Sequence, residues 1–203
     1  MNKTNFLFES LLSYRHKIFK IVLFELFYSI IYFKSNKRSF KEPHIHPCPY
    51  YFNHKLKAFI NKRKINKIVE LGCGFGRITN FLGKNTSAKI FGYELDIEAF
   101  KQAYKYKHQN VTIKHKDILK INFNKNKFDA YILNDPFFQP TKKNFNIYKN
   151  LIKKINKSKK NSKKKYYIFA INFIKKKRKV FNELSLVKSL SAGPGRNINI
   201  YSS

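Results

Sequence analysis

The stretch Glu70-Leu71-Gly72-Cys73-Gly74-Phe75-Gly76 constrains this chain more than any other. It ends a short apolar run, Ile68 to Leu71, and opens a helical pattern that starts at Arg77. Glycines on alternate positions let the backbone turn sharply and approach a ligand closely. The helix behind them offers N–H groups with no partner in the helix and the positive end of its dipole. A dinucleotide fingerprint would space the glycines G-x-G-x-x-G; here the spacing is G-x-G-x-G, with an acid two residues before the first. A tight turn without a ligand is the bland alternative, and the acids around the loop argue against it.

The chain alternates from this point on. Ile90 to Leu95, Val111 to Lys114, Phe128 to Leu133 and Tyr166 to Phe173 read as strands, Phe128 to Leu133 continuous and apolar as a buried parallel strand should be. Helices are expected from Arg77, over Ile97 to His108, and around Phe145, Tyr148, Ile152 and Ile155. Phe52, Leu56, Phe59 and Ile60 predict a further helix ahead of the first strand. Two short strands near Leu184 to Leu190 and Asn197 to Tyr201, joined through Gly193-Pro194-Gly195, predict an antiparallel finish. Strands alternating with helices predict an α/β, doubly wound, mostly parallel sheet. Lys153 to Lys165 is low in complexity and reads as a solvated loop, or as a loop that touches a polyanion.

Only 11 acids are present, yet three fall at the tips of the first three expected strands: Glu70, Glu94 and Asp117. Ligands bind at those ends in such sheets. Glu94 can accept hydrogen bonds from two ribose hydroxyls. After the fourth strand comes Leu133-Asn134-Asp135-Pro136-Phe137-Phe138.

Together these residues resemble the class I S-adenosylmethionine-dependent methyltransferases, over roughly residues 47 to 201. The resemblance implies a seven-stranded Rossmann-like sandwich and S-adenosyl-L-methionine as cofactor. It implies that Gly72, Gly74, Gly76 and Arg77 hold the methionine end, with Glu70 orienting its amino group. Glu94 and Leu95 would meet the ribose side, Asp117 would receive the adenine amino group, and Ile118 would pack the ring. Asn134 to Phe137 resembles the (Asp/Asn/Ser)-Pro-Pro-(Tyr/Phe) box of amino-methyltransferases, with one proline replaced. Asn134, Asp135, Pro136 and Phe137 are therefore the residues expected to orient the acceptor; Asp135 could also take a proton. The resemblance is nearest to small bacterial methyltransferases of unassigned substrate, which share an Asn-Pro-Phe box and a final strand like Gly195 to Tyr201. A second resemblance, through Gly92 to Leu95, is to a small protein-lysine methyltransferase family with a membrane-associating N-terminal segment. Tyr50 and Tyr51 are expected to cap the pocket.

The acceptor is open at this stage. A small-molecule or glycan-linked acceptor suits the compact size. A nucleic-acid amine suits the box and the formal net charge of +32, and would need a flipped or single-stranded base. A lysine on a membrane protein suits the apolar N-terminal stretch. A non-catalytic basic binding protein would not need the intact loop with its acids. The charge itself reads in two ways. It attracts a polyanion, nucleic acid or an anionic membrane, by electrostatic contact. It also follows from drift toward lysine, since only six of the 43 basic residues are arginine, and nucleic-acid readers lean on arginine.

Residues 1–42 read as an N-terminal helical extension and 43–203 as the methyltransferase domain. Ile21 to Phe33 is apolar nearly all round, and about 13 residues fall short of the roughly 20 needed to cross a bilayer. The expectation is that protein covers this helix; the alternative is a peripheral membrane helix flanked by basic residues. No small-residue cleavage site follows it, so a cleaved signal peptide is not expected. Cys48 and Cys73 imply no disulfide framework and point to the cytoplasm. His44, His46 and Cys48 match no zinc pattern, and no metal is expected.

Overall fold

The computed structural model describes residues 48–134, 141–159, 164–171, 180–191 and 197–203, with five positions of the N-terminal stretch. The elements run α1 (Tyr50–Lys62), β1 (Lys67–Leu71), α2 (Arg77–Asn85), β2 (Lys89–Glu94), α3 (Ile97–Lys105), β3 (Val111–His115), a 3-10 turn (Ile118–Lys120), β4 (Ala130–Asn134), α4 (Lys142–Lys159), β5 (Tyr167–Ile171), β6 (Ser185–Ser191) and β7 (Asn197–Ser202). They build one seven-stranded sheet in the order β3-β2-β1-β4-β5-β7-β6. The first five strands in that order are parallel, and β7 pairs antiparallel with both β5 and β6. This is the α/β architecture expected, with its antiparallel finish.

Both faces of the sheet are covered, which explains the near-continuous apolar strands. Successive side chains alternate between faces. Ile68, Ile132, Phe169 and Ile200 join one core with Phe52, Leu56 and Ile60 of α1 and Phe81 of α2. Val69, Leu133, Ile168 and Tyr201 join the other, with Tyr148, Leu151 and Ile155 of α4. Gly92 is the one β2 residue whose missing side chain matters to the loop above it. A Cβ there would stand 2.9 Å from Cys73 Sγ.

The N-terminal starts of the central strands are pinned by one carboxylate. Asp129 Oδ2 accepts from Asn66 N at 3.2 Å and Lys67 N at 3.0 Å, and Oδ1 pairs with Lys164 Nζ at 2.9 Å. Its own backbone bonds Lys67 O and Tyr167 N, so the starts of β1, β4 and β5 meet at this residue. These partners hold its carboxyl below the ordinary carboxylate value, although partial burial works against them.

One expectation fails in part. The lysine-rich stretch from Lys153 is not a loop up to Lys159: α4 runs on through it. Leu151, Ile152 and Ile155 continue the buried stripe begun by Tyr148, so burial sets the helix and the lysines ride on it with their stems along the surface. Residues 160–163, and the Gly193-Pro194-Gly195 turn, lie outside the described residues.

Of the N-terminal stretch, Phe19, Val22, Leu23, Leu26 and Phe27 are described; all are helical and between 49 and 68 % exposed. Their i, i+3, i+4, i+7 spacing places them on one face. The rest of Ile21 to Phe33, on which the expectation of a protein-covered helix falls, lies outside the described residues. Among the described residues no helix is long and apolar enough to cross a membrane.

Candidate functional site: a glycine loop braced by carboxylates

The loop after β1 takes a shape that glycine alone adopts readily. Gly72, Gly74 and Gly76 have φ of 79°, 51° and 76°, all left-handed. Gly72 N and Cys73 N both reach Tyr93 O at 3.0 Å, and Gly76 N closes on Cys73 O at 2.9 Å. Gly76 then caps α2.

Two acids hold this shape from below. Glu70, 2 % exposed, accepts from Thr79 N at 3.0 Å and from Thr79 Oγ1 with the same carboxyl oxygen. It thereby ties the end of β1 to the first turn of α2. Burial pushes its pKa up to about 8; the two Thr79 bonds oppose that shift and the neighbouring Glu94 adds to it. Glu94 Oε2 accepts from Gly74 N at 2.7 Å, and its Oε1 accepts from Leu95 N and Asp96 N at 2.8 Å each. Glu94 thus joins the glycine loop to the turn after β2. Burial, and then these two acids, push the Cys73 thiol well above its ordinary value, so it stays protonated and unreactive.

On the far side of β2, Leu95 is 63 % and Ile97 44 % exposed. Asp117 Oδ1 accepts from Leu119 N at 2.8 Å and caps the 3-10 turn, while Ile118 is buried. His115, not anticipated from the sequence, holds this region together: its Nε2 lies 2.8 Å from Leu95 O, and its ring lies 5.4 Å from that of Phe100. Thr79 was not anticipated either, although a hydroxyl in the third position of a helix behind a buried acid is a readable signal.

Arg77 Nη1 reaches Cys48 O at 3.4 Å, and its guanidinium stands 4.6 Å from the centroid of the Tyr50 ring. Tyr50 is 1 % exposed and packs on Phe81. It therefore supports Arg77 from inside the core instead of capping an opening; Tyr51 beside it is half-buried. Glu70 is level with Ile132 across β1 and β4, so Asn134, two residues on, is level with Gly72. Asp135, Pro136 and Phe137 lie outside the described residues. Among the described residues no group of three or more His, Cys, Asp or Glu gathers as for a metal.

The described residues include seven acids, and five of them (Glu70, Glu94, Asp96, Glu98 and Asp117) lie at or just past the C-terminal ends of β1, β2 and β3. Asp129 and Glu183 are the other two. An edge so rich in carboxylate, on so basic a chain, suits a ligand carrying hydroxyls, an amine and positive charge. S-adenosylmethionine carries all three.

Fold and site define a Rossmann-like, nucleotide-cofactor α/β domain. Residues 68–157 match the model of a methyltransferase domain family, and the glycine loop and its acids fit the pattern of the class I S-adenosylmethionine-dependent methyltransferases. Solved structures with the same fold include a methyltransferase from Geobacter sulfurreducens (TM-score 0.60, 14 % identity, covering 85 % of this chain and 88 % of that one). They also include an RNA methyltransferase from Salinibacter ruber in complex with S-adenosyl-L-homocysteine (0.55, 12 %, 77 % and 93 %). A third is magnesium protoporphyrin IX methyltransferase from Synechocystis PCC 6803 with bound cofactor (0.54, 14 %, 75 % and 77 %). No curated protein matches the chain in sequence.

Proposed function

We propose that this enzyme methylates a small-molecule or glycan-linked acceptor. The supporting observation is the clustering of five of the seven described carboxylates at the edge where an acceptor must meet the cofactor. Glu70 is buried with its pKa raised to about 8 and Glu98 pairs with Lys101 at 2.9 Å, so the edge suits a neutral or weakly cationic acceptor. S-adenosylmethionine, when bound, supplies a methyl made electrophilic by its sulfonium. The chain's own task is alignment. The glycine loop and Glu94 fix one end, Asp117 and Ile118 the other, and Asn134 with Asp135, Pro136 and Phe137 orients the nucleophile for in-line attack. Two free, buried cysteines support a cytoplasmic protein, held peripherally at a membrane if residues 21–33 bind one.

A nucleic-acid amine is the second reading, favoured by the Asn134-to-Phe137 box and the net charge of +32; a lysine of a membrane protein is a third. Incubation of the full chain with lysate fractions and methyl-labelled cofactor separates them. Label is expected in the small-molecule or glycan fraction, and Asp135→Ala or Phe137→Ala should abolish it while cofactor affinity stays within a few fold. Label in nuclease-sensitive material or in protein overturns the first reading.

A further inference from the structure

Glu94 is the acid expected from its position to accept from two ribose hydroxyls, yet its carboxylate is already taken in three places. A carboxylate offers about four lone-pair sites, shared evenly by its two oxygens. Leu95 N and Asp96 N both donate to Oε1, at 2.8 Å each, and fill that oxygen. Gly74 N donates to Oε2 at 2.7 Å. One site is left, and it is on Oε2.

The three N–H groups have no ready substitute for this carboxylate. Leu95 and Asp96 stand ahead of α3, whose carbonyls serve N–H groups further along the helix. The turn they form is fixed from its other side as well: Lys116 N donates to Glu94 O at 2.8 Å, and His115 Nε2 to Leu95 O at 2.8 Å. Asp96 turns its own side chain to the helix, where Oδ1 accepts from Ala99 N at 2.8 Å. Gly74 N sits in the loop where Gly72 N and Cys73 N have already taken Tyr93 O. A carboxylate that swung round to receive a second hydroxyl would leave at least one of these amides unbonded, beside a side chain only 9 % exposed. An unbonded buried donor costs about as much as a hydrogen bond to a charged group contributes, so the exchange gains nothing.

We infer that Glu94 receives one ribose hydroxyl of S-adenosylmethionine, on Oε2, and that the sugar is read through that hydroxyl alone; this rests on the reading of the edge as the cofactor site. The other hydroxyl stays with water. The oxygen that meets the sugar is also the oxygen that holds Gly74 N, so ribose recognition bears on the glycine loop. The turn ahead of α3, held by Oε1, is left undisturbed.

The test is calorimetric titration of the full chain with S-adenosylhomocysteine and with its 2′-deoxy and 3′-deoxy analogues. One analogue is expected to bind at least roughly tenfold more weakly than the parent, and the other within about threefold of it. In Glu94→Ala the gap between the two analogues should close to less than about threefold, whatever the variant does to overall affinity. Equal losses for the two analogues in the unaltered chain, or no loss for either, overturn the inference, and that comparison stands even where the variant does not fold. A gap that persists in full in folded Glu94→Ala overturns it too, because another group then receives the hydroxyl. Absence of binding by S-adenosylhomocysteine itself overturns the cofactor reading and this inference with it, whereas equal losses leave the cofactor reading in place.

Discussion

The two edges of the sheet are built on opposite electrostatic plans. At the C-terminal edge, carboxylates reach up to hold backbone N–H groups: Glu70 takes Thr79 N, and Glu94 takes Gly74, Leu95 and Asp96 N. At the N-terminal edge one carboxylate, Asp129, gathers the starts of three strands, and lysines make up most of the remaining charge. The same chemistry, a carboxylate accepting from backbone amides, braces the glycine loop proposed as a cofactor cradle at one end and makes a structural clasp at the other. At that end Glu94 and Glu70 brace a loop whose three glycines are held in left-handed conformations. At the clasp the amides belong to Asn66 and Lys67, at the start of a regular strand, and nothing is left to bind.

The largest expected effect that separates the two plans comes from Glu94→Ala. It strands three backbone N–H groups, so stability should fall by about 3 kcal/mol, measured by denaturant unfolding. Cofactor affinity should fall at least roughly tenfold, about 1.4 kcal/mol, measured by calorimetry. Unchanged affinity would detach Glu94 from the cofactor edge. Asp129→Ala should cost about 2 kcal/mol of stability through two unpaired amides, yet leave cofactor affinity within about twofold under conditions where the variant is folded. A large loss of affinity there would show that the two edges are coupled.

A further effect is a pH slope. The Glu70 carboxyl rises from its ordinary 4.5 to about 8 in the fold, mainly through burial. The folded state therefore holds a proton that the unfolded chain releases near 4.5. The associated stability is complete below that value and is lost as pH rises toward about 8. Unfolding of the ligand-free protein should show stability declining across this window, and Glu70→Gln, which cannot ionise, should flatten the curve. An equal slope in the variant would assign the decline to another group.

Much of the cradle was legible because its residues carry a pattern: glycines on alternate positions, then acids at regular intervals behind apolar runs. The clasp was not, since Asp129 is a lone acid in the otherwise apolar run Phe128 to Leu133 and owes its role to residues more than 60 positions away. The continuation of α4 through Lys153–Lys159 was hidden by composition: the apolar stripe read through Ile152 and Ile155 gives way to lysines, and the helix runs on to Lys159. Glu70 was placed correctly by its position before the loop. Its grip on Thr79 follows from burial, which the sequence does not print.

The sequence distance spanned by Asp129 also bears on the order in which the molecule assembles. Its bonds to Asn66 and Lys67 bridge 63 and 62 positions, and nothing local can substitute for them. During synthesis the glycine loop leaves the ribosome long before the residue that fixes the base of its own strand. The β1–β4 pairing therefore has to form by a search over a long loop. If the clasp closes only after that search, Asp129→Ala should leave the refolding rate nearly unchanged and speed unfolding instead. Stopped-flow kinetics across a range of denaturant would show it, and a slower folding limb would place Asp129 in the nucleus.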